Sequence, residues 1–298
     1  MSGKNITNLP RSRNGFRLDK APRRESKSAF ETVEESCRED ALRANLLERA
    51  VHEHPDCIDV GRASELAARL RKGAETGSPP DTLASSLRYR DYRLRVIGDL
   101  WRLVEAAHPD PVSTATLTPA GLIFTGEELA EVDPRKLRQV LRTDLNRCGA
   151  RNARGCILAC IHGEFDVFSG NFQIHFHCVA IGEMIGVVDR LRELKKYQNP
   201  TVPRGSAKKR LPPRVVISRE PLTDLPHPLT YFLQSFWPHR PKGKFGGRTE
   251  EKRGERRRRI PEPSHTQKLL WMDLWSLADI TLLVGLRVTS SGFKITKP

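Results

Sequence analysis

The sequence predicts an α+β protein built on an antiparallel sheet in the split βαβ arrangement of ferredoxin-like and RNA-recognition folds, preceded by a helical region. Three observations carry that expectation. From residue 112 to residue 237 the segments follow the order strand, helix, strand, strand, helix, strand, helix. The two consecutive strand segments alternate apolar and polar side chains with a period of two, while residues 39–106 place apolar side chains at helical spacing.

Residues 1–36 are polar, basic and without hydrophobic period, the composition of a disordered tail. Residues 37–108 read as a helical accessory region. "DALRANLLERAV" and "ASELAARLRK" are helical, with Ser64 as the cap of the second; "KGAETGSPPD" interrupts, and "YRDYRLRVIGDLWRLVEAA" forms a third helix.

The main domain is expected over residues 109–240. "STATLTPAGLIF" is a strand. "DPRKLRQVLRTDLNRCG" is a helix capped by Asp133, with Pro134 at its first position, Leu137, Val140, Leu141 and Leu145 on one face, and Gly149 as its stop. "GCILACIHGEFDVF" and "NFQIHFHCVAI" are strands joined by "SGN". "VVDRLRELKKY" is a helix, "PRVVISRE" a strand, and "PHPLTYFLQSFW" a short helix begun by Pro228. Residues 241–265 form a basic linker and 266–298 a packed C-terminal helix or strand. There Asp273 and Asp279 interrupt the apolar run "KLLWMDLWSLADITLLVGL", which argues against a membrane span.

Charge narrows the partners. The chain has 51 Lys and Arg against 36 Asp and Glu, a net charge of +15, which points to a polyanion, foremost nucleic acid. Ten Lys or Arg against three Glu fall within residues 240–259. Arg240, Lys242, Lys244, Arg248, Arg256, Arg257, Arg258 and Arg259 are the expected phosphate contacts. No apolar run reaches 18 residues and the N-terminus lacks a secretory core, so a soluble, cytoplasmic protein without a membrane partner is expected. The six cysteines contain no C-x-x-C pair, which excludes a zinc ribbon and suggests no disulfide framework.

The chemistry centres on "QIHFHCVAI". On a strand, His175 and His177 point the same way while Ile174, Phe176 and Cys178 point the other. Two imidazoles with Cα atoms roughly 6.5–7 Å apart can share one ion. On the preceding strand His162, Glu164 and Asp166 occupy the matching face. A two-residue turn at Gly170-Asn171 would set Glu164 opposite His177 and Asp166 opposite His175, giving two histidines and a carboxylate. Glu164 is the expected third ligand, with Asp166 and His162 as rivals. Such a centre could polarise a phosphodiester. Tyr231, in the short helix, is the candidate nucleophile, and Gln234 shares its helical face.

"TLTP" at 116–119, a helix, a strand with acidic residues, "HFH" and a downstream helical tyrosine together resemble the HUH superfamily of single-strand nucleases. The order matches plasmid and phage rolling-circle replication initiators, over residues 112–240. The resemblance implies Mg or Mn held by His175, His177 and Glu164. It implies attack by Tyr231 on a single-stranded or hairpin DNA origin, with the 5′-phosphate retained on the tyrosine and the freed 3′-hydroxyl priming synthesis. It extends the partners to host replication machinery. Gln234 departs from the family, which commonly carries lysine there. The alternatives are a catalytically weakened nucleic-acid-binding protein on the same fold, or a transposase or relaxase of the superfamily.

Overall fold

The structure is a computed structural model that describes residues 5–9, 31–199, 213–218, 222, 225–234, 236–240 and 259–296. Three helices open it: α1 (Val33–Glu53), α2 (Val60–Thr76) and α3 (Ser86–Ala106). Next come β1 (Val112–Leu117), β2 (Ile123–Phe124), α4 (Gly126–Ala130), α5 (Pro134–Arg147), β3 (Cys156–Asp166), β4 (Asn171–Ile181), α6 (Met184–Arg190) and β5 (Val215–Ile217). The chain closes with α7 (His227–Thr230), β6 (His239–Arg240), α8 (Ser264–Asp273), α9 (Leu277–Ile280), β7 (Thr281–Val284), β8 (Leu286–Thr289) and β9 (Gly292–Ile295).

The fold is α+β with a mostly antiparallel sheet. Its strands run β5-β1-β4-β3, each pair antiparallel, which is the strand order of a split βαβ unit. β7 and β6 extend the outer edge of β3, antiparallel and parallel respectively. The segment expected as one strand over "STATLTPAGLIF" divides in two: β1 covers one end of β4 and β2 the other.

Local chemistry explains the helix ends. Thr32 and Glu35 form a reciprocal capping box that starts α1 four residues inside the expected tail. Ile6 and Leu9, also in that tail, are buried in the core; residues 1–4 and 10–30 lie outside the described ones. Ser64 does not cap α2. Asp59 does, accepting from Arg62 N, while the Ser64 hydroxyl donates back to Val60 O from inside the helix. Asp133 caps α5 as expected and Gly149, at φ +94°, follows its end. Leu141 and Leu145 are buried, but Val140 is 49% exposed and does not belong to the packed face. Pro228 starts only a single turn, because α7 stops at Thr230. The C-terminal apolar run is a helix, α8, followed by a strand that joins the sheet. No helix among the described residues is long and apolar enough to cross a membrane.

The N-terminal helices are bound to the C-terminal part by a half-buried ion pair. Glu39 on α1 pairs with Arg43 (2.8 Å) and bidentately with Arg259 (2.9 and 2.7 Å). Burial raises the Glu39 pKa, but the charges and hydrogen bonds of Arg43 and Arg259 outweigh it and hold the carboxyl at about 2. Asp40 accepts from Ser85 Oγ and Ser86 N, fixing the start of α3 against α1.

Candidate metal centre

The β3–β4 hairpin sets the site. Its loop is four residues, 167–170, rather than two: Asp166 Oδ1 accepts from Phe168 N, Oδ2 accepts from Ser169 Oγ, and Gly170 adopts φ +68° to close the turn. The ladder therefore opposes His162 to His175, Glu164 to Gln173 and Asp166 to Asn171. The expected opposition of Glu164 to His177 does not occur. Because the register differs by an even number of residues, every side chain keeps its expected face.

Among the described residues the ligand-type cluster is His162, His175 and His177, with no carboxylate in it. Nδ1 of His162 lies 3.2 Å from Nε2 of His175, which lies 3.3 Å from Nε2 of His177. The outer ring nitrogens are each engaged elsewhere. Nε2 of His162 donates to Phe236 O at 3.1 Å, Nδ1 of His175 faces Gln173 O at 3.4 Å, and Nδ1 of His177 meets Thr116 Oγ1 at 3.2 Å. A carbonyl can only accept, so neutral His162 and His175 carry their hydrogens outward and turn bare lone pairs toward each other.

Lone pairs at that separation repel unless a proton or a cation stands between them. Burial opposes the proton: His162 is 4% exposed, and burial first, then His175 and His177, depress its pKa far below the usual imidazole value against the Phe236 carbonyl. Buried Lys268 adds to the depression. A tetrahedral ion with bonds of about 2.0–2.1 Å to nitrogen separates its ligands by about 3.3–3.4 Å, which matches the observed spacings. The cluster could bind a metal ion.

Tyr231 shares a pocket with one histidine of the cluster, His177. It is 43% exposed at the C-terminal end of α7 and lines a pocket of about 450 Å³ with His177, Thr114 and Thr116 of the sheet, Ser218 and Pro228. The shared helical face expected of Gln234 and Tyr231 is not formed, since α7 ends at Thr230. Among the described residues that line this pocket none is Lys or Arg. Tyr197, by contrast, is buried beside Cys178, on the face away from the histidines, and donates to Asp144 at 3.0 Å.

Of the expected phosphate contacts, Arg259 is instead committed to Glu39, and Arg240 pairs through its backbone with Asp166 in β6. Lys242, Lys244, Arg248, Arg256, Arg257 and Arg258 lie outside the described residues. No family model, no curated protein and no solved structure matches the chain.

Proposed function

We propose that the three histidines hold a divalent cation and that the protein nicks and rejoins single-stranded DNA through Tyr231, in the manner of HUH nucleases that initiate rolling-circle replication. The observation that supports this best is that His177, one wall of the imidazole cluster, and Tyr231 line one pocket.

A cation bound there supplies Lewis-acid polarisation of a phosphate oxygen. His162, His175 and His177 would hold it; Phe236 O and Gln173 O set the tautomers of the first two, and Thr116 Oγ1 meets Nδ1 of the third. Tyr231 supplies the nucleophile: its phenolic oxygen bonds to phosphorus, the bond to the 3′-oxygen breaks, the phenolic proton leaves to solvent, and the 3′-oxygen is released as a hydroxyl. The 5′-phosphate stays on the tyrosine, ready for reversal without a nucleotide cofactor. Three imidazoles and no carboxylate suit zinc, cobalt or manganese better than magnesium, whose ligands are oxygens.

The test uses a random-sequence single-stranded DNA 40-mer pool with MnCl2 or ZnCl2. A covalent protein–DNA adduct is expected, lost with chelator, in Tyr231→Phe and in His175→Ala. An adduct that persists in Tyr231→Phe removes that residue as nucleophile.

A second reading has a specific observation behind it. Gln234 stands where the family commonly carries lysine, and an uncharged amide does not favour the phenolate that attack requires. A nucleic-acid-binding protein with weakened chemistry would bind DNA with steep salt dependence and give no adduct with any metal. Transposition or mobilisation would use the same site chemistry in another setting.

A further inference from the structure

The carbonyl that orients His162 comes from outside the hairpin. The segment from Phe236 to Arg240 runs along the outer edge of β3, where Phe165 N donates to Pro238 O at 3.0 Å and β6 pairs with Phe165 and Asp166. Two residues earlier, Phe236 O takes the His162 Nε2 hydrogen. Between these two bonds the indole of Trp237 lies directly on Gly163, the neighbour of His162. A Cβ added to Gly163 would sit 2.5 Å from Cε3 and Cζ3 of that ring.

Gly163 is not among the glycines with positive φ, so its backbone does not call for glycine; the ring above it does. Nor can the ring yield easily. Trp237 is 3% exposed, with Trp271 at 5.5 Å and Phe172 at 6.2 Å between ring centres.

We propose that Gly163 and Trp237 are positioning residues of the metal centre: the indole seated on Gly163 holds the Phe236 carbonyl on His162 Nε2, which keeps His162 Nδ1 as the inward donor. The seat rests on the metal reading above. Since Tyr231 precedes Phe236 by five residues, the same seat keeps the tyrosine's segment in register with the histidines.

Cobalt alone is the probe, because its visible absorption reports ligand geometry as its titration reports affinity. Gly163→Ala is expected to weaken Co2+ binding by about 10–100-fold, the usual effect of disturbing a ligand's hydrogen-bond partner, and to alter the absorption band. Trp237→Leu, which vacates the contested space and suits a buried site, is expected to weaken binding by a similar factor and serves should Gly163→Ala fail to fold. The double variant should bind no worse than Trp237→Leu alone, since the ring is the route by which the extra methyl acts. Unchanged affinity and spectrum in folded Gly163→Ala or in Trp237→Leu would overturn the seat while leaving the metal reading intact. Multiplied losses in the double variant would overturn it likewise. A wild-type protein that takes up no Co2+ would end both.

Discussion

His162 and His175 meet across the β3–β4 ladder with Nδ1 and Nε2 3.2 Å apart, and His162 is fixed from behind by a carbonyl 74 residues downstream. A strand pair thus supplies all three histidines of the cluster, and a remote segment decides which nitrogen of one of them points inward.

The ligand set follows. His162→Ala should lower Zn2+ or Co2+ affinity by at least about 10–100-fold, whereas Glu164→Ala, opposite Gln173 and outside the cluster, should change it by less than about threefold. Isothermal titration distinguishes the two, and the reverse pattern would restore Glu164 as third ligand.

Metal preference is a separate outcome. Zn2+, Co2+ or Mn2+ at about 100 times its Kd should stabilise the protein by about 2.7 kcal/mol, read as a rise in melting temperature. Millimolar Mg2+ should leave it nearly unmoved, because the cluster offers only nitrogen. A Mg2+ shift equal to that of Zn2+ would contradict an all-imidazole centre.

Acid should destabilise the protein in a defined window. Burial pushes the His265 pKa down to about 4, against the help of the Glu262 carboxylate. Its Nδ1 faces Glu262 at 3.2 Å and its Nε2 meets the Arg259 guanidinium at 3.2 Å, so the neutral ring accepts from Arg259 and protonation breaks that contact. The unfolded chain takes up this proton near pH 6.5 while the folded one resists until about 4. Stability is therefore full above 6.5 and falls by roughly 3 kcal/mol as pH drops to 4. Glu39, held at about 2, adds a further loss below about 4.5. Chemical denaturation from pH 7.5 to 3.5 tests this, and His265→Gln should flatten the upper part of the slope.

Tyr197 and Tyr231 should separate cleanly. Tyr197→Phe removes a buried hydrogen bond to Asp144 and should cost about 1–2 kcal/mol of stability while leaving cobalt affinity and any DNA adduct unchanged. Loss of adduct in Tyr197→Phe with normal folding would reassign the nucleophile.

Much of this was legible from local pattern. The period of two along "CILACIHGEFD" and "NFQIHFHCVAI" fixes which side chains share a face, because neighbouring residues cannot exchange faces without exposing Ile174 and Phe176. Loop length was not legible. A two-residue turn and a four-residue turn preserve the same faces, so the pattern could not tell Glu164 from His162 as partner; the Asp166 side chain, bonded to Phe168 N and Ser169 Oγ, decides it. One overlooked signal was Gly163, a lone glycine inside a strand, which marks a close approach by other atoms. The extent of α7, and which part of the C-terminal run is helix and which strand, were not legible for another reason. Proline at the first helical position says where a helix starts, not how far it runs, and a short apolar run reads equally as helix or strand.

His239 Nδ1 donates to Arg259 O at 2.9 Å, and Arg259 is anchored in turn on Glu39. The strand edge at His239 and the ion pair that joins α1 to the C-terminal part are thus fastened to each other at a single clasp. A change at His239 should consequently be felt at both ends of the molecule, along the edge of β3 and in the pairing of Arg259 with Glu39.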